Sequence, residues 1–244
     1  RSNKIFKLFK LNNEIIKKLP KCQKSDSIAG HTSTKINRIL GLDKSIPVSI
    51  GAGDVPSSVI GLGVNNANTA ATIFGTTIHN CFVSKHPIFY PKNIGLLFYS
   101  PNSLWLKTMI NVAGTINIDW VVKNFFNISN NDNLNKNILK IENYILKNNI
   151  SSNGLYFLPY LNYGGVIAPF HNENASGVIY GLNHDHNKYN IFKSVYEGLA
   201  LSIYDCYEKF NKKIKYVYLA GGASKSTIIP QMISDILNKK IYIP

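Results

Sequence analysis

The chain has 244 residues, 45% of them hydrophobic and 11% aromatic, which suffices for one large domain or two small ones and excludes a disordered protein. Lys and Arg outnumber Asp and Glu by 27 to 13, a formal net charge of +14, yet the lysines stand singly or in pairs among many Asn and Ile, as an AT-rich coding sequence produces, and form no nucleic-acid-binding stripe. No run approaches the ~20 apolar residues of a membrane span, no secretory pattern opens the chain, and Cys22, Cys81 and Cys206 lack metal-ligand spacing, which fits reduced thiols in a cytoplasmic protein.

Residues 1–20 read as a basic, partly helical lead-in. "DSIAGHTSTKINRILGL" (26–42) predicts a turn and then a short helix that Gly41 ends. "SIPVSIG" (45–51) has the character of a buried strand, and "DVPSSVIGLG" begins a strand-to-helix transition with Asp54 at its start. "NTAATIFGTTIHNCFVS" (68–84) has two β-rich halves around Gly75-Thr76-Thr77 and predicts a hairpin. A strand follows at "SLWLKTMI" (103–110), then two helices, "NIDWVVKNFF" and "LNKNILKIENYILKN", on either side of the loop "NISNNDN". "GLYFLPYLNYGGVIAPF" reads as strand and Gly/Pro loop. Residues 190–210 carry apolar side chains at 191, 195, 199, 203 and 207, the strongest helical stripe in the chain. "IKYVYLAGG" predicts a strand entering a glycine turn, and "STIIPQMISDILNK" a helix after it. Strands mixed with helices, with glycines at strand ends, predict an α/β fold without internal repeats or a dividing linker.

Each glycine turn has a plain reading and a chemical one. Asp54 can cap its helix by accepting a backbone N–H; at a strand end among small residues, the same carboxylate can take the proton of an attacking alcohol. Gly75-Thr76-Thr77 is either a hairpin tip or a phosphate grip built of free N–H groups and hydroxyls. Gly221-Gly222-Ala223, followed by Ser224 and Ser226, is either a tight turn with a serine cap or a helix start that attracts an anion and lets a flat nucleoside approach. "GGASKST" is no Walker P-loop, because Ser224 precedes Lys225 and the G-x-x-x-x-G-K spacing fails, and no G-x-G-x-x-G surrounds Asp54. His184-Asp185-His186 lies in too polar a loop to read as a metal site, so no metal ligands are assigned.

The order of these elements resembles the carbohydrate kinases of the FGGY family, in their C-terminal half. "GVIYGLNHDHNKYNIFKSVYE", from Gly177 to Glu197, is similar to that family's second signature. It has a Gly-x-apolar-x-Gly start, a seven-residue spacer, a polar–apolar pair, and a helix carrying the small Ser194 and the acid Glu197. "GLDKSIPVSIGAGD" is similar to the approach to the family's catalytic aspartate, and "FGTT" follows Asp54 at the family's spacing of just over twenty residues. "NVAGTINIDW", "FLPYLNYGGVIAPF" and "YLAGGASKSTIIPQMISDI" then follow in family order, so the resemblance covers about residues 30–244.

The resemblance implies a ribonuclease H-like, actin-like ATPase lobe with a mixed β-sheet flanked by helices. Residues 1–29 would be a lead-in, and 30–244 a nucleotide-binding domain without the N-terminal sugar-binding lobe or the closing helices expected past "KKIYIP". It implies ATP-dependent phosphorylation of a sugar, sugar acid or polyol, with "YGGVIAPFHNENASG" suggesting the xylulose or gluconate-like branch. By the same resemblance Asp54 is the catalytic base, and Gly75, Thr76 and Thr77 hold the terminal phosphates. Gly221, Gly222, Ala223 and Ser226 line the α-phosphate and adenosine side, Gly114 contacts the nucleotide ahead of Trp120, His79 lies beside the substrate, and Mg2+ bridges the phosphates. Glu197 and Trp120 read as structural. The expected partner is a small sugar or polyol, with no nucleic acid and no membrane, and a homodimer is allowed. The chain alone should turn over little, because lobe closure expels water and aligns the nucleophile. Two other classes stay open: a non-catalytic nucleotide-binding or regulatory module of the same fold, and, more remotely, a basic nucleic-acid binder whose affinity would collapse with salt.

Overall fold

The computed structural model describes residues 3–101, 103–128, 133–210 and 214–244. They form two compact units, Arg1–Gly53 and Asp54–Pro244. The first contains helices α1 (Asn3–Leu8) and α2 (Asn13–Lys18), strand β1 (Ile28–His31), helix α3 (Thr34–Leu40) and strand β2 (Pro47–Ser49). Side chains of Asn12 and Ser33 accept the N–H groups of Ile15 and Ile36 to start α2 and α3, and Gly41 ends α3 in the left-handed region, as predicted. The expected buried strand at 45–51 is corrected to a three-residue β2, exposed throughout and paired antiparallel with β1. The apolar run is interrupted by Pro47 and Ser49, and among the described residues of this unit the two-stranded ribbon has no further strand to bury it. Strand β1 falls where a turn was expected.

The second unit opens with helix α4 (Asp54–Gly61) and the predicted hairpin of β3 (Ala70–Phe74) and β4 (Ile78–Ser84). Then come β5 (Leu96–Ser100), β6 (Leu104–Asn111), α5 (Ile116–Phe125), α6 (Leu134–Lys147), β7 (Tyr156–Leu158) and β8 (Val178–Tyr180). The chain ends with α7 (Lys188–Lys209), β9 (Tyr216–Ala220), a 3-10 turn at Gly222–Lys225, α8 (Ile229–Leu237) and β10 (Lys240–Tyr242). The loop expected at 127–133 lies partly outside the described residues.

Six strands form one mixed sheet in the order β10-β9-β3-β4-β6-β5, and β7 pairs with β8 apart from it. Alternation along β3 and β4 separates two apolar layers. Ala70, Phe74, Ile78 and Phe82 face the main core with Val121 of α5, Phe192 and Leu199 of α7 and Ile233 of α8. Ala71, Cys81 and Val83 face Val59 of α4. Helix α7 buries the predicted stripe of Ile191, Val195, Leu199, Ile203 and Tyr207, and a capping box between Asn187 and Asn190 starts it.

Strand direction decides where a site can form. β9 runs parallel to β3, whereas β4 is antiparallel to both β3 and β6, so β6 runs with β3. The carboxyl ends of β3, β6 and β9 therefore open on one edge of the sheet. There the chain leaves β3 toward β4 on one side and leaves the neighbouring β9 toward β10 on the other, the kind of switch point at which α/β sheets bind ligands.

Candidate functional site: three glycine turns on one sheet edge

At this edge β3 turns through Gly75, Thr76 and Thr77 into β4, β6 passes Gly114 into α5, and β9 passes Gly221 into the 3-10 turn. Backbone bonds lock the first two together: Gly114 N–H donates to the Thr76 carbonyl at 2.7 Å and Thr115 N–H to the Gly75 carbonyl at 2.9 Å. A Cβ on Gly114 would stand 2.3 Å from the Gly75 oxygen. One on Gly221, whose φ is +93°, would stand 2.3 Å from the Phe74 oxygen. These two glycines are thus demanded by the packing of the turns on one another.

Gly75 and Gly222 are different. A Cβ on Gly75 would meet only the Thr77 oxygen at 3.8 Å, one on Gly222 would meet nothing within 4 Å, and neither residue has a positive φ. Local packing does not require glycine at either position, and its smallness keeps the edge open. The Gly75 and Thr76 carbonyls are engaged by the Gly114–Thr115 loop, whereas the N–H groups of Thr76 and Thr77 donate to no acceptor among the described residues. Such a turn presents donors outward, the property a phosphate grip needs.

Alternation puts His79 on the α4 face of β4, with Cys81 two residues on. Its Nε2 lies 3.1 Å from Thr77 Oγ1, while Nδ1 is buried with no hydrogen-bond partner among the described residues. Burial lowers the His79 pKa from the ordinary 6.5, and the Asp54 carboxylate at the start of α4 partly opposes this. Asp54 itself is exposed, and its Oδ1 accepts the Val55 N–H at 2.8 Å. Asp54, His79 and Thr77 are therefore brought to one side of the edge, with Gly75, Gly114, Gly221, Gly222 and the buried Ala223 along the rest of it.

Ser226 closes the 3-10 turn, and its hydroxyl is occupied inside the protein. It accepts the N–H groups of Ile228 and Ile229 at 3.1 and 3.0 Å and donates to Glu142 Oε1 at 2.5 Å. Glu142, fully buried on α6, escaped the sequence reading. Its one sequence signal is an acid set among Ile138, Ile141 and Ile145 on the inward face of an amphipathic helix. A second unpredicted group lies beneath the turns. Asn80 donates to Asn111 at 2.7 Å, and Thr72 bonds Asn80 at 3.2 Å and Tyr207 at 2.8 Å, which ties β3, β4 and β6 to α7.

The remaining sequence features fall away from this edge. Trp120 stacks on Phe157 and edges onto Phe125, a packing role. Glu197 lines a groove between β7 and α7 together with Asp205. His184 and Asp185 form an exposed pair, and among the described residues no group of three or more His, Cys, Asp or Glu could hold a metal. Nor, among the described residues, is any helix long and apolar enough to cross a membrane.

The fold is shared with solved kinases. Ligand-bound xylulose kinase from Lactobacillus acidophilus superposes with a TM-score of 0.82 at 24% identity, over 99% of this chain and 48% of that one. Plasmodium falciparum glycerol kinase with ADP gives 0.80 at 19%, over 99% and 47%. The unit carrying the site thus has the actin-like ATPase fold, a mixed sheet flanked by helices. The FGGY family of carbohydrate kinases, C-terminal domain, matches residues 70–244, and the chain belongs to this family. The xylulose kinase of Staphylococcus epidermidis is 26% identical over 226 residues, 91% of this chain and 44% of that protein. Glycerol kinase 2 of Clostridium tetani is 26% identical over 237 residues, 93% and 44%. The chain spans less than half the length of these curated relatives.

Proposed function

We propose that this chain supplies the ATP site and general base of a kinase that phosphorylates a hydroxyl of a small sugar, sugar acid or polyol. The observation that carries the reading is the convergence of three strand ends on one edge where Gly75 and Gly222 stay bare of side chains without any packing need. In this proposal the outward N–H groups of Thr76 and Thr77 hold the terminal phosphates, and the open ground over Gly222 and Ala223 takes the nucleotide's adenosine side. Gly114 and Gly221 fix the turns, and Ser226 shapes the end of the second one. Mg2+ would arrive on the phosphates, whose charge it offsets.

Asp54 accepts the proton of the acceptor hydroxyl while that oxygen bonds the γ-phosphorus and the bond to the bridging oxygen of ADP breaks. His79, whose pKa burial lowers, borders the acceptor beside Asp54. The names of the relatives, xylulose and glycerol kinases, support a small polyhydroxy acceptor, and the stretch 163–177 supports the xylulose or gluconate-like branch. One observation favours a second reading, a nucleotide-binding module without chemistry: the Asp54 carboxylate accepts the Val55 N–H, as a helix-end residue can. ATP consumption by the full-length polypeptide with xylulose, gluconate and glycerol separates the two. Under the kinase reading one acceptor stimulates turnover, and Asp54→Asn lowers it about 10²–10⁴-fold with Mg-ADP affinity retained. An Asp54→Asn protein as active as the parent would refute the assignment of the base.

A further inference from the structure

Glu142 is a buried carboxylate beside the main apolar core, and its four hydrogen-bond partners are all donors. Oε1 accepts the Tyr196 hydroxyl at 2.7 Å and the Ser226 hydroxyl at 2.5 Å, and Oε2 accepts the Thr227 N–H at 2.9 Å and the Thr227 hydroxyl at 2.8 Å. Three of these four bonds go to the two residues that immediately follow the Gly222–Lys225 turn. Tyr196 supplies the fourth from α7.

The geometry leaves little freedom in chemical type. A serine hydroxyl has one proton and two lone pairs, and both lone pairs of Ser226 are taken by the N–H groups of Ile228 and Ile229. Its proton must therefore go to Glu142. The Thr227 N–H is a donor and nothing else. A glutamine at 142 would present its amide –NH2 either to Ser226 or to Thr227, and in both orientations a donor would face a donor at a fully buried position. An acceptor-only side chain on α6 thus holds both the exit of the turn and, through Ser226, the first free N–H groups of α8.

We infer that Glu142 is a positioning residue for the nucleotide: by clamping Ser226 and Thr227 it fixes the shape of the Gly221–Lys225 turn over which the adenosine side of a nucleoside diphosphate lies. This deepens the reading proposed above and rests on it. Ser226 itself, with no proton or lone pair to spare, acts as a joint between Glu142 and α8 and makes no bond to the ligand. Glu142 touches neither phosphate nor acceptor.

The test compares Glu142→Gln with Tyr196→Phe. The second variant removes a bond to the same carboxylate from the α7 side and leaves the three bonds to Ser226 and Thr227 in place. Calorimetric titration with Mg-ADP, and amide hydrogen exchange at Thr227, Ile228 and Ile229, are read on each. Glu142→Gln should bind Mg-ADP about tenfold more weakly and exchange those amides at least about tenfold faster. Tyr196→Phe should lower thermal stability with unchanged affinity. Should Glu142→Gln fail to fold, Ser226→Ala takes its place with the same expectation. Equal affinity and equal protection in the variant and the parent would overturn the inference, as would a loss of affinity in Tyr196→Phe as large as that in Glu142→Gln. A parent chain that fails to bind Mg-ADP would instead sink the nucleotide reading, and the exchange rates would still decide whether Glu142 shapes the turn.

Discussion

Replacing Gly114 with alanine puts a methyl group where the turn after β3 already lies. Its Cβ would stand 2.3 Å from the Gly75 carbonyl oxygen and 3.0 Å from both Ile78 Cγ1 and the Thr76 oxygen. None of these can yield cheaply: two are backbone carbonyls and the third belongs to a fully buried side chain. Overpacking of this kind costs about 1–3 kcal/mol. Relief requires the β6–α5 loop to back away, which lengthens the bonds from Gly114 and Thr115 to the Thr76 and Gly75 carbonyls, each worth about 0.5–1.5 kcal/mol. If both open, destabilisation reaches about 2–6 kcal/mol, a large part of a domain stability of about 5–15 kcal/mol. In urea denaturation followed by circular dichroism the midpoint should fall by about 1 M or more. Gly222→Ala is the matched control: its Cβ meets nothing within 4 Å, so stability should stay within about 0.5 kcal/mol while Mg-ADP affinity drops. A Gly114→Ala protein with the parent's midpoint, or a Gly222→Ala protein equally destabilised, would refute the division into packing glycines and site glycines.

Two further outcomes follow from basic side chains withdrawn from solvent. Burial holds the folded His79 pKa below 6.5, so as pH falls beneath 6.5 the unfolded chain takes up its proton first and stability drops until the folded value is passed. His79→Gln should flatten that part of the pH–stability curve, and an unchanged slope would count against a lowered pKa for this half-buried imidazole. Lys107, 4% exposed, donates to the Ile94 carbonyl and has its pKa lowered from 10.5 by burial. The unfolded chain binds more protons between the folded value and 10.5, so stability should rise with pH across that window. Lys107→Met should remove the rise, as read from urea midpoints at several pH values across that window, and a rise that persists in the variant would count against Lys107 as its source.

What was legible in the sequence is what local periodicity and turn chemistry encode. The hairpin at 68–84, the strand at 103–110, the long stripe of α7 and the Gly41 stop all appear within a residue or two of where residue spacing puts them. Strand β2 misled because a short run such as "SIPVSIG" does not reveal whether a third strand or a layer will cover it. Strands β8 and β10 are only three residues each, too short for alternation to register. At the site, the sequence exposed the glycines but could not sort them. Gly114 and Gly221 differ from Gly75 and Gly222 through contacts made across the sheet edge, between residues as distant as Gly221 and Phe74, and Gly221 also through its positive φ. Glu142 was hidden for the same reason, since its partners lie on α7 and at the start of α8, 54 and 84 or 85 positions along the chain.

The most direct test of the central claim, that this sheet edge holds a nucleotide, is a calorimetric titration of the chain with Mg-ADP alongside its Gly222→Trp variant. Saturable binding by the parent, abolished by a tryptophan placed where the fold leaves only open space, is the result the account predicts. Binding that survives the tryptophan unchanged, or none in either protein, would contradict it.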